Sequence, residues 1–399
     1  MFKNKIIITI IMYIYSTQIL IADDFDEFLN KALKQSPYLK SAYLEKEQLL
    51  YKAAITTRYD NPELDINYGK YNSKNGISDK GYGISVSQPI RFWSINEDKK
   101  ELSKRILNGA ENFYKLDKAN FIKEISLLYT KYEFNKELEK LTEESSLLSK
   151  EIYDISKERY SYGSISQADL LQAEAAFIQI QVQNESVKME TLSNYYNLLK
   201  FAGLESEVKL EFNHKFQIKD KRQISNNLEL SVMENNQEIN LAKLNIESNT
   251  FDSFNLILST DKEPDQTVNK VGISIPFPIL NTRSEEKQIA MLESKKNDLL
   301  IQNRKNQLNK ELAQLYKQRN SLNNKLKNTE KVLVLRTKLV EMYLEKFKIS
   351  QASILEVQTV KDNVIQTQKE LIQTNMALNQ NSININYIQG DINEKTIID

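Results

Sequence analysis

The sequence has no cysteine, one histidine, one tryptophan, and only 9 glycines and 6 prolines in 399 residues. Each shortage excludes something. Without cysteine there is no disulfide, no thiolate metal ligand, no cysteine nucleophile and no cysteine to carry a lipid. A single histidine argues against a histidine-dependent active site or a multi-histidine metal centre. Basic and acidic side chains balance at 54 each, so no excess positive charge points to nucleic acid. Glycine and proline usually make up roughly 7% and 5% of a chain, so breakers are scarce and the elements should be long. Compact α/β enzymes need glycine at many turns. No nucleophile elbow, phosphate loop or metal-ligand cluster is present, so neither catalysis nor a cofactor is expected.

What is present begins with a leader. Lys3 and Lys5 precede Ile6 to Tyr15, a run that is apolar except for Thr9. Ser16, Thr17 and Gln18 break it, and Ala22 stands before Asp23 and Asp24. This pattern predicts a secretory signal over residues 1–22. A spanning helix needs about 20 apolar residues, and no segment reaches that length. Entry into a membrane would therefore require a β-barrel.

The rest is duplicated. Arg159 to Gly203 aligns with Lys346 to Gly390 without a gap, at an offset of 187, with 8 of 45 positions identical. Ser166 matches Ser353, Gly203 matches Gly390, and Asp169 matches Glu356. Gly83-Ile-Ser-Val-Ser-Gln-Pro-Ile90 aligns with Gly272-Ile-Ser-Ile-Pro-Phe-Pro-Ile279. The expected organisation is a first repeat over 23–203, a linker over 204–226, a second repeat over 227–390 and a tail over 391–399. Each repeat reads as a helix, a strand pair, one very long helix, a tight break and another long helix. The strand pairs fall near 62–92 and 251–279, the long helices near 94–161 and 281–348, and the breaks near 161–167 and 348–354.

The long helices carry heptads. Leu127, Phe134, Leu141, Leu148 and Ile155 recur every seven residues. Leu308, Leu312, Leu315, Leu322, Leu326, Leu333, Val340, Tyr343 and Phe347 follow four-three spacing, interrupted by Arg319, Thr329 and Arg336. Sustained heptads predict a coiled coil. Sixty-seven residues from Ser94 to Tyr160 would span roughly 100 Å. At the breaks, Ser166 with Asp169 and Ser353 with Glu356 each form a capping box, and Gly163 permits the positive φ that ends a helix. Each repeat thus makes a helical hairpin with its tip at the break.

The strands alternate. Tyr82, Ile84 and Val86 are spaced by Gly83 and Ser85; Val271, Ile273, Ile275, Phe277 and Ile279 are spaced by Gly272, Ser274, Pro276 and Pro278. Their partners are Leu64 to Tyr71 and Phe254 to Leu258. Strands of about ten residues with period two suit a tilted membrane wall. Four strands cannot close a barrel of useful width, so two or three chains must share one.

In this order the motifs resemble the TolC-like outer membrane efflux protein family. The resemblance rests on Ala32-Leu-Lys-Gln-Ser-Pro-Tyr-Leu39, Asn61-Pro-Glu-Leu64, Ser87-Gln-Pro-Ile90, Ile275-Pro-Phe-Pro-Ile279, and Arg159-Tyr-Ser-Tyr-Gly163 followed by Asp169-Leu-Leu171. It covers nearly the whole chain after the leader. It implies a mainly α fold with a small β part: an internally duplicated coiled-coil α-barrel plus an outer membrane β-barrel of four strands per chain, shared in a homotrimer. It further implies an exit duct in the outer membrane, in contact with its lipid and extending into the periplasm. Such ducts serve an inner membrane pump of RND or ABC type through a periplasmic adaptor. Asp169 and Glu356 would form a ring of six carboxylates at the tunnel entrance, where mutual repulsion would raise some of their pKa values. Arg159, Tyr160, Gly163, Ser164, Lys346, Phe347 and Ser350 would meet the adaptor.

The sequence departs from the family in places. Phe92-Trp-Ser-Ile and Leu280-Asn-Thr-Arg stand where a glycine usually follows the second strand. Gln237 aligns with Pro37, Ser350 with the tip glycine, and Gln172 and Thr359 with a second acid. Two roles stay open for Asp169 and Glu356, helix capping or a cation-attracting ring. Arg159 and Lys346 could equally complement the helix dipole. Trp93, with Phe92 and Tyr82, marks either an aromatic interface belt or packing at the strand-to-helix junction. His214, alone in the linker, is expected at the surface. The competing reading is a soluble periplasmic coiled-coil structural protein. It explains the helices but not four alternating strands placed alike in both halves.

Overall fold

A computed structural model describes residues 24–72, 78–211, 214–218, 223–224, 226–249, 251–279 and 282–392. The leader lies outside these residues, as do most of the tail and parts of the linker. The elements run α1 Phe25–Gln35, α2 Pro37–Thr57, β1 Glu63–Asn72, β2 Ser78–Arg91, α3 Trp93–Ser161 and α4 Gln167–Ala202. They continue α5 Leu228–Glu247, β3 Ser253–Lys262, β4 Thr267–Ser274, α6 Ser284–Lys348 and α7 Ile354–Gln389. The chain is mainly helical with one small sheet.

One long helix forms each repeat's backbone, α3 with 69 residues in the first and α6 with 65 in the second. Each is accompanied by two shorter helices laid end to end. The last residue of α4's cap, Gly203, has φ +72°, and a Cβ there would meet Pro37 Cδ at 2.4 Å, where α2 starts. Gly390 repeats this at the end of α7, with φ +72° and Asn226 O 1.9 Å from an added Cβ. Asn227 caps α5 and donates from Nδ2 to Ile388 O at 2.9 Å. So α4 continues into α2, and α7 into α5, as composite strands alongside α3 and α6.

This junction corrects the alignment of Pro37. Its counterpart is Leu228, not Gln237. Ser36 accepts from Leu39 N and Asn227 from Leu230 N, one cap replacing the other. Gln237 sits inside α5, buried, donating to Ser294 Oγ at 2.8 Å and Asp298 Oδ1 at 3.0 Å. Among the described residues α1 has no helical counterpart in the second repeat.

The heptad seam holds in α6: Leu308, Leu312, Val340 and Phe347 are buried. Its interruptions are used. Arg319 donates to Ser382 Oγ at 2.7 Å and Arg336 to Asn363 O at 2.9 Å, both on α7. In α3 only Leu141 of the ladder is fully buried; Leu127, Phe134, Leu148 and Ile155 are half-buried. The deepest stripe runs through Ser145, Ser149, Ile152 and Ser156. α3 packs against α4 and α7 together, and small hydroxyl side chains let three helices approach. Ser145 and Ser156 satisfy their hydroxyls on Leu141 O and Ile152 O of their own helix.

The four strands form one antiparallel sheet in the order β1-β2-β3-β4. β2 pairs β3 from Tyr82↔Lys262 to Arg91↔Ser253, which joins the two repeats. β4 ends at Ser274, short of the expected Ile279. Pro276 and Pro278 have no N–H for the ladder, so Ile275 and Phe277 lie beyond the strand.

Where it is described, the linker packs on the helices. Leu210 is buried in a core with Phe28, Leu29, Phe121, Ile125, Tyr129 and Leu198. Tyr195 Oη donates to Val208 O at 2.9 Å. His214, expected at the surface, is half-buried instead, with ring centroids 4.6 Å from both Phe25 and Phe216. Burial holds its imidazole below the ordinary value, against the opposing pull of Asp26 and Asp24.

Candidate functional site

The tip is built from two matching turns. α3 is capped by Tyr162, with Gly163 N donating to Tyr160 O at 2.9 Å and Ser164 N to Arg159 O at 2.8 Å. α6 ends alike, Ser350 N donating to Phe347 O at 3.2 Å and Gln351 N to Lys346 O at 2.8 Å. Gly163 has φ 69° and Ser350 φ 61°. Ser350 therefore does glycine's work with a Cβ, in the left-handed region that disfavours it.

The next helices start with complete capping boxes. Asp169 N donates to Ser166 Oγ at 3.2 Å, and Ser166 N donates back to Asp169 Oδ2 at 3.0 Å. Glu356 N donates to Ser353 Oγ at 3.3 Å, and Ser353 N to Glu356 Oε2 at 2.8 Å. These bonds favour the ionised acids. The Ser166 hydroxyl and amide hold Asp169 below the usual carboxylate range, helped by Arg159. The Ser353 amide and hydroxyl do the same to Glu356, helped by Lys346. Capping is thus present within one chain, and the carboxylates stay charged while performing it.

The remaining tip residues divide. Phe347 is fully buried, packed with Ile152, Ala173, Ala352, Ile354 and Val357, so its expected contact with a partner is corrected to a core role. Arg159 turns inward. It donates to Phe347 O at 3.1 Å and Ala352 O at 3.3 Å, and its guanidinium lies 4.5 Å from the Phe347 ring centroid. It ties the first hairpin to the second. Tyr160, Gly163, Ser164, Lys346 and Ser350 are exposed. Arg159, Gly163, Ser164, Ser166, Asp169 and Ser353 line one open cleft.

Two further ties join the hairpins. Gln172 Nε2 donates to Gln358 Oε1 at 3.0 Å. The buried Lys361 donates from Nζ to Ser149 Oγ at 3.2 Å. Polar side chains one or two turns past a capping box were the available signal, but nothing in one repeat names its partner in the other.

The sheet separates its faces. On one face Leu64 pairs Val86, Ile66 pairs Ile84, Tyr68 pairs Tyr82, Val86 pairs Leu258, Leu258 pairs Val271, and Leu256 pairs Ile273. Tyr82, Ile84, Val86, Val271 and Ile273 are all exposed there. The other face carries Asp65, Asn67, Gly83, Ser85, Ser259, Asp261 and Lys270, with Lys270 Nζ 2.8 Å from Asp261 Oδ2. A two-layer soluble sheet would bury the apolar face and expose the polar one. The bases of the two strand pairs are clasped alike. Arg91 donates to Thr57 O at 3.2 Å and lies 3.7 Å from Asp60 Oδ2; Arg283 donates to Asp252 Oδ1 at 3.1 Å. These arginines stand next to the places where the usual glycines are missing. No helix among the described residues is long and apolar enough to cross a membrane, and none of their acidic or histidine side chains form a metal-binding group.

Comparison with known proteins agrees with this picture. Residues 28–204 match the family "Outer membrane efflux protein". No curated protein matches the chain. Among solved structures, a CusC structure described in terms of folding and transmembrane channel formation superposes with a TM-score of 0.78 at 15% identity, covering 91% of each chain. The Campylobacter jejuni CmeC outer membrane channel gives 0.76 at 16% identity, covering 92% of this chain and 85% of its own. The outer membrane protein VceC of Vibrio cholerae gives 0.77 at 11% identity, covering 91% and 95%.

Proposed function

We propose that this chain is a TolC-like outer membrane efflux protein, a reading supported by the family match of its first repeat and by its fold, and that it forms its duct as a homotrimer gated at the hairpin tips. Its place is the outer membrane, and its role is that of an exit duct for efflux. The observation that carries the reading is the sheet with one apolar exposed face, set at the end of two rods of about 100 Å.

Three features support the shared barrel. β1 and β4 leave open edges, whose backbone groups need partners in a bilayer. Pairing β4 of one copy with β1 of the next supplies them. On α4, Leu171, Ile178, Val182, Met189, Leu192 and Tyr196 form an exposed stripe at heptad spacing. On α6, Leu335, Leu339 and Met342 form another. Two different stripes on two different helices suit a head-to-tail ring. In the ring, Asp169 and Glu356 would supply six charges at the entrance, concentrating cations there. The exposed tip residues Tyr160, Gly163, Ser164, Lys346 and Ser350 would meet a periplasmic adaptor, which links the duct to an inner membrane pump.

The test is single-channel recording in planar bilayers. The wild type conducts with cation preference. Asp169→Asn with Glu356→Gln conducts with that preference reduced severalfold. An unchanged preference would leave the two acids with capping alone, and no conductance from a membrane-inserted wild type would remove the duct.

A further inference from the structure

The sheet sorts its charges by face. Among the described residues of the four strands every carboxylate falls on the polar face: Glu63 opposite Ser87, Asp65 opposite Ser85, Asp79 opposite Tyr71 and Asp261 opposite Gly83. Lys270 lies on that face too and has its partner there, Asp261 Oδ2 at 2.8 Å. The apolar face carries no acid on these strands, yet its turn end holds three lysines.

The three are neighbours. Lys70 pairs directly with Lys80. One row nearer the helices, Tyr82 pairs Tyr68 on one side and Lys262 on the other. Lys262 Nζ lies 6.0 Å from the Tyr82 ring centroid. All three lysines are exposed, and none has an ion-pair partner among the described residues. Side chains directly opposite each other start about 5 Å apart and diagonal ones about 7–8 Å, and like charges placed so repel. The bare protein bears that repulsion; an anion held among the three ammonium groups relieves it.

Their height is informative. From Ile90 to Lys80 the apolar face advances ten residues along β2, about 33 Å at 3.3 Å per residue. Strands tilted by about 40° convert this to roughly 25 Å, the height of the apolar band of an outer membrane barrel. The long helices leave from the other end of the sheet, so the lysines stand at the rim away from the periplasm.

Two simpler uses of lysine do not account for the group. A lysine that only reaches out of the bilayer needs the height, but gains nothing from a second lysine opposite it. A lysine that guards a sheet edge suits Lys70 on β1, but Lys80 and Lys262 belong to the inner strands β2 and β3.

We infer that Lys70, Lys80 and Lys262 form a binding site for the phosphate group of an outer-leaflet lipid. Lysine serves as a point charge for such a group. A lipid fits better than a free anion because the cations run straight into an aliphatic wall: Lys80, Tyr82, Ile84 and Val86 are successive residues of β2 on one face. The headgroup phosphate meets the ammonium groups while the acyl chains lie along Ile84, Val86 and Leu258. The inference rests on reading this face as the membrane wall, and its test separates the two.

The full chain in nonionic detergent is titrated with bisphosphorylated lipid A, a phosphorylated glucosamine lipid, and bound lipid is counted by native mass spectrometry. Wild type should bind it. Lys70→Gln, Lys80→Gln and Lys262→Gln together should weaken binding by about tenfold or more, with helix content unchanged by circular dichroism. Lys270→Gln, on the opposite face, should bind as wild type does. Dephosphorylated lipid A should bind wild type as weakly as the intact lipid binds the triple variant. Equal binding by wild type and triple variant, or of the two lipids by wild type, would overturn the site. Displacement of the lipid by an equal concentration of inorganic phosphate would make the lysines a free-anion site and overturn the lipid. Flotation with phosphatidylcholine vesicles reads the wall separately, and wild type and triple variant should both float. If both float while the lysines leave binding unchanged, the site alone is wrong. If neither floats, the membrane reading fails and the site fails with it.

Discussion

Ser350 occupies a left-handed turn at φ 61°, where its counterpart Gly163 has φ 69°. The cost of a Cβ there is about 1 kcal/mol. Ser350→Gly should raise the thermal midpoint of the detergent-extracted protein, whereas Gly163→Ser should lower it. The neighbouring acids set a pH dependence. Asp169 and Glu356 are held below their ordinary values by serine hydroxyls and amides. Such groups contribute stability above their unfolded values, near pH 4, and lose it as pH falls through the lower folded values. Wild type should therefore lose stability between about pH 5 and pH 3 more steeply than Asp169→Asn with Glu356→Gln. Parallel acid-unfolding curves for the two proteins would contradict this. Phe347, fully buried, should cost about 3–5 kcal/mol on truncation to alanine, read from denaturant unfolding.

At the scale of elements, the two composite strands depend on abutting helix ends. A Cβ at Gly390 would meet Asn226 O at 1.9 Å in a backbone of φ +72°. Gly390→Ala should therefore destabilise by more than about 2 kcal/mol, since strain and collision add. A loss under about 0.5 kcal/mol would show that α5 shifts freely away from α7. The long helices, the breaks and the strand pairs were legible in the sequence because each has a local cause: heptads, Ser-x-x-Asp or Ser-x-x-Glu boxes, and period-two alternation. What was not legible depends on neighbours. Residue letters alone align Pro37 with Gln237, because they do not show that Ser36 and Asn227 perform one capping job. The α3 ladder marked the right helix but not its deepest stripe, because a third helix, α7, shares the groove. Arg159 reads as a surface charge until Phe347 and the Ala352 carbonyl are placed beside it. Alternation continues through Pro276 and Pro278 and so predicts a longer β4, while the ladder stops at Ser274.

At the scale of the whole molecule, one chain is incomplete in two ways. The sheet has two open edges, and apolar stripes on α4 and α6 face outward. A ring of copies satisfies both at once. Replacing Val182 and Met189 together by glutamate should therefore prevent assembly of the proposed trimer while leaving the helix content of the chain unchanged. Everything at this scale depends on three copies making one outer membrane duct. Native mass spectrometry of the wild-type protein, extracted by detergent from an isolated outer membrane fraction, tests it most directly. A single complex of three mature chains is expected. A monomer from that fraction, or recovery of the chain only in the soluble periplasm, would contradict it.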